Sequence, residues 1–98
     1  MALIIQPHIL KKIGSDDHGN ITRKDIEECF NNHCGRYCYE QHPEHLNKNG
    51  DPTPWFVAET NQRKRLKIMF AREGSDVELK SAYPATQRVT DIFHKFAK

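Results

Sequence analysis

Three segments with strand-like alternation dominate the chain, and the links between them are short. They are WFVAET at 55–60, RLKIMFAR at 65–72 and VELKSAY at 77–83. The links NQRK and EGSD leave room for little more than a reversal, so a consecutive antiparallel meander is expected. Side chains alternate along a strand, so choosing the pairing sorts them into two faces. Pairing Thr60 with Arg65 and Arg72 with Val77 places Trp55, Val57, Leu66, Ile68, Phe70, Val77, Leu79 and Tyr83 on one face. That face reads as core. Phe56, Thr60, Arg65, Lys67, Met69, Glu78 and Lys80 take the other. A slip of one residue would mix the two sets.

Helices flank this meander. QPHILKKIG reads as a short first helix, with Pro7 at its first position and Gly14 after its end. ITRKDIEECFNNHCG reads as a second. Thr22 is the expected N-cap, Asp25 completes a capping box, and Ile21 and Ile26 are spaced as a hydrophobic staple. Gly35 offers a left-handed stop, and Cys29 belongs to the core. RYCYE predicts a short strand, and NKNGDPTP is turn chemistry. In ATQRVTDIFHKFAK, Val89, Ile92, Phe93 and Phe96 form an apolar stripe expected to cover the core face. The expected fold is α+β in a single domain over 1–98: two N-terminal helices, a three- to four-stranded antiparallel meander, and a closing amphipathic helix packed on the sheet.

Composition agrees with a folded domain. Of 98 residues, 37% are hydrophobic and 29% charged, which a disordered chain does not show. No apolar run approaches the roughly 18 residues of a membrane span. The start, MALIIQPHIL, lacks the basic leader of a secretory signal. Three cysteines leave one unpaired in a monomer, so a reduced, cytoplasmic setting is expected.

Two constellations carry possible chemistry. The stretch HCGRYCYEQHPEH holds Cys34, Cys38, His42 and His45, a possible zinc set. Its four ligands would come from one short span, whereas compact zinc modules pair a close cysteine couple with distant partners. The expectation is no metal or other cofactor, with Cys38 lining the sheet opposite Tyr37 and Tyr39. His8, His18 and His94 read as solvent-facing.

The second constellation is the basic sheet face. Arg65, Lys67 and Lys80, with Arg72 at a hairpin end and Phe56 among them, suit RNA: bases stack and cations meet phosphates. A solvated face whose cations balance Glu59 and Glu78 explains the same residues, and the mild net charge of +2 does not decide between them. A metal-free ribonuclease would hold the scissile phosphate with cations and move protons through Tyr83, Glu59, Glu78 or His45.

The segment DPTPWFVAETNQRKRLKIMFAREGSDVELKSAYPA resembles a group of small bacterial proteins that carry the label ADP-ribosyl-(dinitrogen reductase) hydrolase. Their pattern is matched at Asp51–Thr60, Arg65–Phe70 and Leu79–Tyr83. The helical start is similar as well. That group in turn resembles BrnT-type toxins of the RelE-like ribonuclease superfamily. The resemblance implies an α+β fold, metal-free RNA cleavage and a cognate antitoxin. It places Arg65, Lys67, Arg72 and Lys80, with Tyr83, where such a site would lie; together with the reading of the residues, the expected catalytic residues are Tyr83, His45 and Arg65, and the expected RNA-binding ones Lys67, Arg72, Lys80 and Phe56. The chain departs from BrnT-like toxins at SAYPA, where they show SAR. The alternative is a non-catalytic inhibitor or regulatory protein that docks a protein or RNA partner on the same face.

Overall fold

A computed structural model describes residues 2–40 and 52–98. The chain runs β1 (Leu3–Ile4), α1 (Pro7–Ile13), a 3-10 turn (Asp16–His18), α2 (Arg23–Asn32), β2 (Cys38–Glu40), β3 (Thr53–Glu59), β4 (Arg65–Glu73), β5 (Asp76–Pro84) and α3 (Gln87–Phe96). One sheet takes all five strands in the order β1-β5-β4-β3-β2. The β2 to β5 run is antiparallel, as expected. The two-residue β1 lies parallel to β5, which makes the sheet mixed. So short a strand ahead of Pro7 gives no alternation to read.

Both N-terminal helices begin as their sequences dictate. Pro7 opens α1. In α2 the Thr22 hydroxyl accepts from the Asp25 N–H (3.1 Å), and the Thr22 N–H donates to the Asp25 carboxylate (3.0 Å). Ile21 and Ile26 are both fully buried around this cap, as a staple requires. Gly35 is left-handed, at φ 82°, but it is not the expected stop: α2 already ends at Asn32, with His33 as an extended C-cap.

The meander forms, but its faces differ from the expected pairing in two places. Between β3 and β4 the Thr60 N–H donates to the Lys64 carbonyl (2.9 Å), and Arg63 turns left-handed at φ 64°. This is the three-residue loop in which a left-handed residue follows a tight turn. It pairs Glu59, not Thr60, with Arg65. The one-residue slip turns Phe56 and Ala58 to the side of Leu66 and Ile68, and Trp55 and Val57 to the side of Lys67. Between β4 and β5 the expected Arg72–Val77 pair is present. Farther along, Met69 faces Ser81 while Phe70 faces Leu79, so Lys80 is an extra residue. That bulge turns Tyr83 away from Leu79 and onto the side of Lys67.

The fold is therefore three-layered. One face carries Phe56, Leu66, Ile68, Phe70 and Leu79 against α1 and α2. Phe30 of α2 meets Phe56 and Phe70 edge-on, with ring centroids 5.1 and 5.5 Å apart. The opposite face carries Trp55, which meets Phe93 of α3. The expectation that α3 covers the Leu66–Ile68–Phe70 face is thus corrected: α2 covers it, and α3 lies behind. With helices on both sides, β4 is buried continuously from Leu66 to Ala71. The stripe expected on α3 is also only half used. Thr90, Phe93 and Ala97 turn inward, whereas Ile92 and Phe96 stay exposed.

Cys29 lies in the α2 core, its thiol directed at the Ala58 carbonyl (3.7 Å). Burial, reinforced by the charges of Asp25 and Glu28, pushes this thiol from 9.0 up to about 12. The unfolded chain therefore ionises Cys29 first. Its contribution to stability is complete below pH 9 and is lost as pH rises from 9 towards 12. Denaturation midpoints should fall across that range, and Cys29→Ala should flatten the decline; an unchanged slope would refute the linkage. Phe56→Ala should cost about 3–5 kcal/mol in urea unfolding, where a solvated Phe56 would leave the midpoint nearly unmoved.

Candidate functional site

Lys67 is the centre of the α3-side face. Its side chain is held between two rings, with Nζ 4.4 Å from the Trp55 ring centroid and 5.4 Å from that of Tyr83. Only 8% of the residue is exposed. It makes no ion pair and no hydrogen bond among the described residues, yet Nζ is not sealed from water. Buried ammonium groups are ordinarily paired, because desolvation of a lone charge costs several kcal/mol. Here the ring faces supply what compensation there is, on the order of 2 kcal/mol for a desolvated cation–π contact. An arriving anion would meet an ammonium that, among the described residues, has no carboxylate to displace.

Two other expected residues share this face. Arg65 stands two positions before Lys67 on β4, and its guanidinium makes only a long contact with the Gln87 amide oxygen (3.5 Å). Tyr83 is the cross-strand partner of Lys67. It is half-buried, and its hydroxyl makes no hydrogen bond among the described residues. The set Arg65, Lys67 and Tyr83 could hold a phosphate between two cations and offer a phenol for proton transfer.

The remaining expected residues are placed elsewhere. Phe56 is fully buried on the opposite face, stacked among Phe30, His33, Tyr37 and Phe70, so it cannot meet a base. The slip at the β3–β4 hairpin put it there. Arg72 also lies on that opposite side, 5.6 Å from the rings of Tyr37 and Phe70. Lys80 occupies the bulge and donates to Glu78 (3.3 Å), which occupies both charges. Glu59 pairs across from Arg65 and is exposed. His45 and His42 lie outside the described residues.

Lys64 is committed as well, to Asp25 (3.6 Å) and the Asn20 carbonyl (3.3 Å). It clamps the hairpin to α2. In the cysteine–histidine stretch, Cys34 is exposed and Cys38 is a buried sheet residue paired with Trp55. Burial raises the Cys38 thiol, opposed by the nearby charges of Lys67 and Arg36. Among the described residues no three His, Cys, Asp or Glu side chains gather where they could hold a metal. His33 has a structural role. Its Nδ1–H donates to the Phe30 carbonyl, and Nε2 accepts from the Tyr37 hydroxyl (2.8 Å), closing the end of α2.

Trp55 is the residue that sequence reasoning missed at this site. Alternation alone assigned it to the core, and its direction depends on the loop closure. No protein-family model, no curated protein and no solved structure matches this chain. Among the described residues, no helix is long and apolar enough to cross a membrane.

Lys67→Met keeps the aliphatic stem between Trp55 and Tyr83 and removes the charge. Its unfolding midpoint should match or exceed that of the parent protein. A loss of about 3–5 kcal/mol would instead mark a buried ion pair broken on one side.

Proposed function

We propose that this chain is a RelE/BrnT-like ribonuclease domain that cleaves RNA without a metal at the α3-side sheet face. The observation that carries the reading is Lys67: a cation nine-tenths buried, held between two rings and lacking a carboxylate among the described residues. Lys67 and Arg65 would bind the scissile phosphate and neutralise the charge that grows on it in the transition state. The 2′-hydroxyl would attack the phosphorus, losing its proton to solvent water, as the bond from phosphorus to the 5′ oxygen breaks, and Tyr83, across the strand pair from Lys67, would donate the proton to that leaving oxygen. Asp51–Thr60, Arg65–Phe70 and Leu79–Tyr83 resemble the small bacterial group labelled ADP-ribosyl-(dinitrogen reductase) hydrolase, and the looser likeness of that group to RelE-like toxins supports the same assignment, as does the α+β architecture. An antitoxin partner and a cytoplasmic setting belong to this reading.

One feature favours a second reading, in which the same face binds a protein or RNA partner without turnover. The Tyr83 hydroxyl has no hydrogen-bonding partner among the described residues that could tune it for proton transfer.

EDTA-treated, nuclease-free protein should cut RNA, and its expression should arrest growth. Tyr83→Phe should slow cleavage by about 10²- to 10⁴-fold while leaving RNA binding in place. Lys67→Ala and Arg65→Ala should weaken both. RNA that is bound but left intact would establish the second reading. RNA neither bound nor cut would end both RNA readings.

A further inference from the structure

Beside Trp55, on the side of β2, the surface opens into a groove of about 440 Å³. Cys38, Tyr39, Trp55, Ile92, Phe96 and Lys98 line it. Its volume falls in the range of small-ligand sites, roughly 300–1,000 Å³. The groove exists because α3 turns Thr90, Phe93 and Ala97 inward and leaves the rest of its apolar stripe outside. Phe96 is 59% exposed, Tyr39 52% and Ile92 38%, whereas Trp55, at 6%, closes the floor.

The charged side chains placed at the groove among the described residues are cationic. Lys98 lines it, Lys95 lies 5.4 Å over the Phe96 ring, and the Arg36 guanidinium donates to the Ala97 carbonyl (2.7 Å). None of these three cations joins an ion pair among the described residues, and no acidic side chain is among the lining residues. Flat aromatic faces under a rim of cations suit unpaired nucleobases, which stack on rings while their phosphates meet Lys and Arg. An acidic apolar peptide would be drawn by the same charges. A helical ligand, however, needs an elongated channel for anchors spaced along several turns, and this groove spans a three-residue strand and the last turn of α3.

We propose that the groove is a stacking site for the bases of single-stranded RNA. It rests on the reading that the neighbouring Lys67 face takes RNA phosphate, and it adds a subsite to that face. Trp55 joins the two, since Lys67 Nζ lies over its ring and the residue also lines the groove. Stacking accepts any base, so the site would select for unpaired strand rather than for sequence.

Trp55 is the one tryptophan of the chain, so its fluorescence reports on this groove directly. The full chain is titrated with a short single-stranded RNA carrying 2′-O-methyl groups, which resists cleavage, and in parallel with inorganic polyphosphate. RNA should quench Trp55 and polyphosphate should not. Phe96→Ala and Tyr39→Ala remove exposed rings and should leave thermal unfolding unchanged. Each should weaken RNA binding by about 5- to 100-fold. If RNA binds all three proteins equally and without quenching, while Lys67→Ala abolishes binding, the groove proposal is overturned and the Lys67 reading stands. If no RNA binds at all, both fall. Quenching by an acidic apolar peptide, with none by RNA, would overturn the proposal in favour of a protein partner.

Discussion

The β3–β4 hairpin closes through the Thr60 N–H on the Lys64 carbonyl with Arg63 left-handed, and every side chain of β3 takes its direction from that closure. A loop one residue longer would send Trp55 into the α2 core and Phe56 towards α3. The closure is itself secured from outside the sheet. Asn32 donates to the Glu59 carbonyl (2.9 Å) and Asn61 oxygen (3.0 Å), Glu28 accepts from the Asn61 N–H (3.0 Å), and Lys64 reaches Asp25. Helix α2 thus holds the turn with polar groups while it packs on the sheet with Phe30, Ile26 and Cys29. The Thr60 hydroxyl accepts from two backbone N–H groups inside the turn, which lets the residue be buried.

The bulge at Lys80 acts in the same direction from the other side of β4. One slip delivers Trp55 to Lys67, and the bulge delivers Tyr83. Together they build the aromatic cradle of a cation that would otherwise lie on a solvated face. Lys67 then occupies a buried position where, among the described residues, no carboxylate pairs with it.

Local chemistry was readable in the sequence wherever neighbours in the chain decide the outcome. The Thr22–Asp25 capping box, the Ile21–Ile26 staple, Pro7 at the first turn of α1 and the core position of Cys29 all follow from residues within one or two turns of each other. Strand positions were readable too, because alternation needs no partner. The site was only partly readable. Arg65, Lys67 and Tyr83 are together as a group on one face. Phe56, Arg72 and Lys80 are not, because the hairpin carries no glycine to announce its left-handed residue and the bulge no signal at Lys80.

The sequence by itself determined an α+β chain with two N-terminal helices, the second capped, three or four antiparallel strands in order, and a closing amphipathic helix. Short-range periodicity and capping carry that information. Tertiary structure alone decided which face each strand shows, that β1 adds a parallel edge, and that α3 lies behind the sheet with Ile92 and Phe96 left outside. These outcomes turn on single-residue choices of register, whose energies come from packing against α2 and α3 rather than from the strands themselves.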